Sequence, residues 1–166
     1  MKIMKLVLPI VTVGLVMCGC PSANRPDLVV TSLTATGSPA TIASGAIEVP
    51  IQVVVKNQGN SNAPVFKTST QFTGMASGVP GTYLVAFTVP GQPEICYPWT
   101  SVPLAPGGEV TFRGKVTFIA GSGGQTVTLT ALADSCSGEE FMPSYCRVQE
   151  SDETNNESAA ISIALP

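Results

Sequence analysis

From Ile47 to Val55 every second residue is apolar (Ile47, Val49, Ile51, Val53, Val55), with Glu48, Pro50, Gln52 and Lys56 on the alternate positions and only Val54 departing from the pattern. The same period of two recurs downstream. Val110, Phe112, Val116 and Phe118 oppose Thr111, Arg113, Lys115 and Thr117; Val127, Leu129, Ala131 and Ala133 oppose Thr126, Thr128 and Thr130; Ile161, Ile163 and Leu165 close the chain. One apolar and one polar face per segment is what antiparallel strands packed on a single core require. Less regular strands are expected over Asp27–Thr34, Pro64–Thr73 and Thr82–Val89. Turn residues separate them at 57–60, 104–108 and 121–124, the last read as a hairpin turn. Pro50 cannot donate to a sheet ladder, so its strand is expected at a sheet edge or to carry a bulge there. No stretch has a convincing helical period. The pattern predicts an all-β fold, an antiparallel β-sandwich of six or seven strands.

Composition agrees. Val, Thr and Ile together number 45 of 166 residues, and Gly and Pro 30; β-branched residues favour strands, and the turn formers break them up. With 44% hydrophobic and 11% charged residues, the chain is far from the polar, highly charged make-up of a disordered one. A net charge of −3 and no Lys/Arg cluster exclude a basic nucleic-acid binder. The absence of histidine removes Ser-His-Asp triads, Cys-His pairs and His-ligated metal sites.

The N-terminus reads as an export address. Lys2 and Lys5 precede the uncharged apolar run Leu6–Met17, too short for the ~20 residues of a membrane-spanning helix. The run ends in Met17-Cys18-Gly19-Cys20, which resembles a bacterial lipobox with Gly19 at −1 and Cys20 as acceptor. That resemblance implies a lipoprotein signal peptide over 1–19, cleavage before Cys20, and diacylglycerol on its sulfur with a further acyl chain, such as palmitate, on its amine. Two or more chains anchor stably where one is marginal. Residues 20–26 then form a tether of at most about 25 Å to a domain spanning 27–166. The expected location is extracytoplasmic, lipid-anchored to a bacterial cell or outer membrane.

Four segments in order resemble the CARDB family, a cell-adhesion-related, immunoglobulin-like module of bacterial and archaeal surface proteins. They are Asp27-Leu28-Val29-Val30; Val53 to Gly59, ending Asn57-Gln58-Gly59; Leu104-Ala105-Pro106-Gly107-Gly108-Glu109; and Glu150-Ser151-Asp152-Glu153-Thr154-Asn155-Asn156. The resemblance implies a seven-stranded immunoglobulin-like sandwich and a non-enzymatic binding, adhesion or scaffolding role toward a protein or cell-surface partner. Two departures stand out: a long segment from Gly74 to Thr100, and a Cys-bounded insertion over residues 135–149. These insertions are the expected partner-facing surface.

Cys96, Cys136 and Cys146 follow the signal region. After export one disulfide is expected: Cys136–Cys146, bracketing the insertion, or alternatively one joining Cys96 to either of them. The acidic stretch from Glu139 to Glu157 holds six carboxylates against Arg147 alone. One reading is a Ca²⁺ site drawn from Glu150, Asp152, Glu153 and Asn155, although the spacing is not that of an EF-hand. The preferred reading has no cofactor: Asn155 and Asn156 bond backbone groups at the approach to the last strand, and the acids are solvated. Carboxylate pairs for glycoside hydrolysis are a further alternative, with nothing in the sequence to set two of them across a cleft. Tyr97 and Trp99 form an aromatic pair suited either to a partner contact or, for Trp99, to capping the core.

Overall fold

The eleven-residue strand over Ile47–Asn57 organises the molecule: its odd-numbered side chains are all buried and its even-numbered ones half-buried. The computed structural model describes residues 24–73, 83–88, 103–135 and 146–166. Among the described residues eight strands are formed: β1 (Leu28–Ala35), β2 (Ala40–Thr41), β3 (Ile47–Asn57), β4 (Thr68–Thr73), β5 (Tyr83–Thr88), β6 (Glu109–Phe118), β7 (Thr126–Ala133) and β8 (Ile161–Ala164). All pairings are antiparallel. One sheet runs β1-β3-β6-β5, with the two-residue β2 also on β3, and the second runs β4-β7-β8. Seven of these strands answer the sequence expectation, and the short β2 adds an eighth. No helix occurs among the described residues.

The apolar faces of the two sheets meet in one core. Val49, Ile51, Val53 and Val55 of β3, with Phe112, Val116 and Phe118 of β6, pack opposite Val127, Leu129 and Ala131 of β7 and Ile163 of β8. Each fully buried Val, Leu, Ile or Phe contributes roughly 1.5–3 kcal/mol. Phe66, just before β4, meets the Phe112 ring edge-on at 6.5 Å and 86°, a favoured aromatic geometry. On the solvent face of the larger sheet, Arg113 Nε donates to Gln52 (2.9 Å) and Lys115 pairs with Glu48 (3.0 Å). Exposed pairs of this kind contribute little.

Two expectations are corrected. Pro50 lies in a central strand, and no bulge occurs at it: β3 pairs β6 continuously from Ile47 to Lys56. The missing N–H is accommodated on the other side of β3, where β1 ends and β2 has not begun. Thr36 N still donates to Pro50 O (2.9 Å); proline cannot return that bond, and β1 stops at Ala35. The 121–124 glycine turn is not a hairpin either. It carries the chain from β6 in one sheet to β7 in the other. Gly123 is needed there because a Cβ would lie 2.4 Å from Pro166 O.

Strand direction gives the sandwich two distinct ends. One holds the start of β1, the end of β3, the turn before β6, the end of β7 and the approach to β8. The other holds the β2 hairpin and the β6–β7 crossover.

Candidate functional site

The four sequence landmarks, dispersed over 130 residues, meet at the first of these ends, and Asn57 joins three of them. Its position follows from the period of two: as the next odd residue after Val55 it faces inward, and it is fully buried. A buried primary amide must fill two donor and two acceptor sites. Oδ1 accepts from Asp27 N (3.1 Å) and Gly59 N (3.1 Å), and Nδ2 donates to Ser61 O and Leu104 O (both 2.8 Å). Its backbone pairs with Gly107 and Gly108 (2.7 and 3.0 Å). Gly107 turns there at φ +74°, in the left-handed region that glycine adopts without steric cost.

The chain entering β1 is fastened from both sides. Arg25 N donates to Asn60 Oδ1 (3.0 Å) and Asn60 N to Arg25 O (3.1 Å); Gln58 N bonds Asp27 O (2.8 Å) and Ser151 N bonds Pro26 O (2.9 Å). Asp27 Oδ1 accepts from Asn155 Nδ2 (2.9 Å) and Oδ2 from Gln58 Nε2 (3.1 Å). Gly59 permits this approach, since a Cβ would fall 2.5 Å from Arg25 O.

Behind that junction Glu150 is buried, with 2% of its surface exposed. Its Oε2 accepts a short bond from Leu28 N and its Oε1 accepts from Asn156 Nδ2 (2.6 Å). Burial pushes its carboxyl up to about 8; the Leu28 and Asn156 bonds pull the other way, and the neighbouring Asp134 and Glu153 carboxylates add to the rise. The Arg25 guanidinium donates to the Glu150 backbone carbonyl (3.5 Å). Asp134 follows β7 at φ +46°, a conformation Asp tolerates better than most residues. It accepts from Arg147 N (3.0 Å) and Val148 N (2.8 Å). Burial raises its carboxyl too, against those two backbone bonds.

The other acids cap turns. Glu153 Oε1 accepts from Glu150 N (2.8 Å). Exposed Asp152 accepts from the backbone and hydroxyl of Thr154 (2.9 and 2.6 Å), and these bonds hold its carboxyl below the usual range.

The acids of this run were expected to be solvated; Glu150 is not, and Asp134, just before the insertion, is buried with it. Asn155 and Asn156 were expected on backbone groups. Their closest partners are instead the carboxylates of Asp27 and Glu150, with a longer Asn156 contact to Ala133 O (3.5 Å). The Oδ1 atoms of both asparagines are buried without a hydrogen-bond partner. Glu150, Asp152, Glu153 and Asn155 thus serve separate bonds, and no group of three or more His, Cys, Asp or Glu side chains able to hold a metal ion occurs among the described residues. Cys146 is the first described residue after Ser135 in the Cys-bounded insertion. Cys20, Cys96, Cys136, Tyr97 and Trp99 lie outside the described residues.

Sequence reasoning had Asn57 as part of a landmark but not as its hub. The signal was present in its inward register at the end of an otherwise apolar row. Nothing local marks Glu150 or Asp134 as buried, because both lie in polar, turn-rich segments.

Two antiparallel sheets closed on one core, with connections crossing between them and a polar junction at one end, define an immunoglobulin-like β-sandwich module. The chain belongs to the CARDB family, whose profile matches residues 25–160, a family of non-catalytic, adhesion-like domains. Among solved structures it resembles the CARDB domain of the PF1109 protein from Pyrococcus furiosus, determined in complex with di-metal ions. The two share 18% identity at a TM-score of 0.47, over 84% of this chain and 88% of that one. Comparison with the curated proteins gives no match.

Proposed function

We propose that this chain is a non-catalytic binding or scaffolding module held at an extracytoplasmic membrane surface by acylated Cys20. The observation that carries the reading is the junction itself. The groups with chemical potential there (Glu150, Asp134, Glu153 and Asn57) are engaged with their own chain, as suits a rigid presenting platform. Family membership supports the same role, and the Cys20 sequence context supports the anchor. A disulfide at Cys146 suits an oxidising compartment. Cys136 is the partner we assign it, because that bridge closes the insertion on itself; so short a loop contributes a little under ~3 kcal/mol in the chain-entropy account.

Mass spectrometry of the protein isolated from membranes tests the anchor. An acylated Cys20 at the mature N-terminus is the expected result, and an unmodified N-terminus overturns it. Binding is tested by pull-down with the intact chain and with residues 89–100 and 136–145 trimmed, which leaves β5 in its sheet. Loss of specific partners on trimming is expected, and an unchanged partner set counts against these surfaces.

A further inference from the structure

The entry into β1 decides which way the module faces. We infer that the end of the sandwich bearing Asp27, Asn57, the 104–108 turn and Glu150–Asn156 sits against the lipid headgroups, while the β2 hairpin and the β6–β7 crossover point away from the membrane. This rests on the Cys20 anchor proposed above and extends it from attachment to orientation.

The argument is one of reach. The chain is fastened from Arg25 onward, by Arg25 to Asn60 (3.0 and 3.1 Å), Pro26 to Ser151 (2.9 Å) and Asp27 to Gln58 (2.8 Å). Only the five peptide steps from Cys20 to Arg25 are left as tether, at most about 18 Å when fully extended. The eleven residues of β3 span about 36 Å between the two ends. Turning the far end to the bilayer would need a tether about twice the available length. Lying flat has no apolar incentive: among the described residues Ile42 is the one large hydrophobic side chain that is exposed, and it lies at the far end, beside the β2 hairpin. The solvent face of the larger sheet carries the Lys115–Glu48 and Lys56–Glu109 pairs instead.

The margins of the two insertions fall at both ends: the 74–100 segment includes β5, which runs from Tyr83 at the far end to Thr88, paired with Arg113, and among the described residues the chain is next bonded at Leu104 to Ala63 on the membrane side. Ser135 and Cys146, at the margins of the Cys-bounded insertion, lie on the membrane side, near Lys67 and Asp134. The chain between β4 and β5 leaves from Thr73, paired with Thr128, and returns at Tyr83, paired with Phe118; both positions lie toward the far end. The loops there, residues 36–46 and 119–125, contain no Asp, Glu, Lys or Arg, and the charges beside them are Glu48, across from Ala40 of β2, and its ion-pair partner Lys115.

The test uses the full acylated chain reconstituted in phosphatidylethanolamine–phosphatidylglycerol vesicles containing a headgroup-linked acceptor dye. A donor is placed by unnatural amino-acid incorporation at exposed Ala105 or at exposed Ala43. Energy transfer several-fold stronger from position 105 than from position 43 is expected, with the contrast reduced in Gly59→Ala, which disturbs the Arg25 fastening. Equal or reversed transfer in protein that floats with the vesicles overturns the orientation and leaves the anchor standing. Failure of the chain to float, or flotation unchanged by Cys20→Ala, overturns the anchor and the orientation together.

Discussion

The substitution Glu150→Gln should change the protein's stability with a sign that depends on pH. In the folded chain the carboxyl is raised from 4.5 to about 8, first by burial. An acid whose folded pKa lies above its unfolded value stabilises most when both states are protonated, below about pH 4.5. That contribution is lost as pH rises, until the folded state also ionises near pH 8. At about 1.4 kcal/mol per pH unit the gap amounts to a ceiling of about 5 kcal/mol, of which about 3 has been lost by pH 7. The introduced carboxamide keeps an acceptor for Leu28 N and, if the Asn156 amide rotates, offers an N–H to the Asn156 Oδ1 that otherwise has no partner. Imperfect replacement of these bonds costs about 1 kcal/mol. The variant should therefore be slightly less stable than wild type at pH 4 and more stable by about 2 kcal/mol at pH 7. Urea unfolding of both proteins at intervals between pH 4 and 9 measures the difference directly. Asp134, also raised, affects both proteins and largely cancels. Parallel pH profiles would refute the reasoning, because they would mean that Glu150 ionises in the folded chain as readily as in the unfolded one.

Asn57→Ala removes all four side-chain bonds at the hub and leaves the Asp27 and Gly59 N–H groups short of partners, while the Leu104 carbonyl keeps its bond from Ala63 N (3.0 Å). A loss of about 3–5 kcal/mol is expected in denaturant unfolding. Gly59→Ala should cost about 1–3 kcal/mol by overpacking against Arg25, with faster hydrogen exchange at Asn60 and Ser151 than in the β3–β6 ladder. Phe112→Ala, which empties a fully buried site and the edge-on contact with Phe66, should cost about 3–5 kcal/mol in the same assay. Lys115→Ala on the solvent face should change stability by under about 1 kcal/mol and show little salt dependence; a larger effect would indicate that the Glu48 pair is not simply exposed.

Much of the fold was legible because alternation is a local property. Burial on one face of a strand imposes a period of two on its own residues, so β3, β6, β7 and β8 could be placed from sequence within a residue or two. β2 could not, since two exposed residues carry no period. Pro50 misled for a related reason: a missing N–H indicates an absent ladder bond, but not on which side of the strand. Here the gap falls between two short neighbours of a central strand. The 121–124 turn misled because a glycine-rich link between two strands looks the same whether they pair or lie in different sheets.

What the sequence determined by itself is the longer strands and their inward faces, each readable from a few contiguous residues. Only the tertiary structure decided that Asp27, Asn57, Leu104 and Glu150 share one end of the sandwich, that a glutamate in an acidic run is buried on backbone and amide donors, and that Arg25 is already fastened to the domain. Those outcomes depend on hydrogen bonds between residues up to 128 positions apart. The free energy that places a charge or an amide in the interior comes from the packing of both sheets, and no single segment carries it.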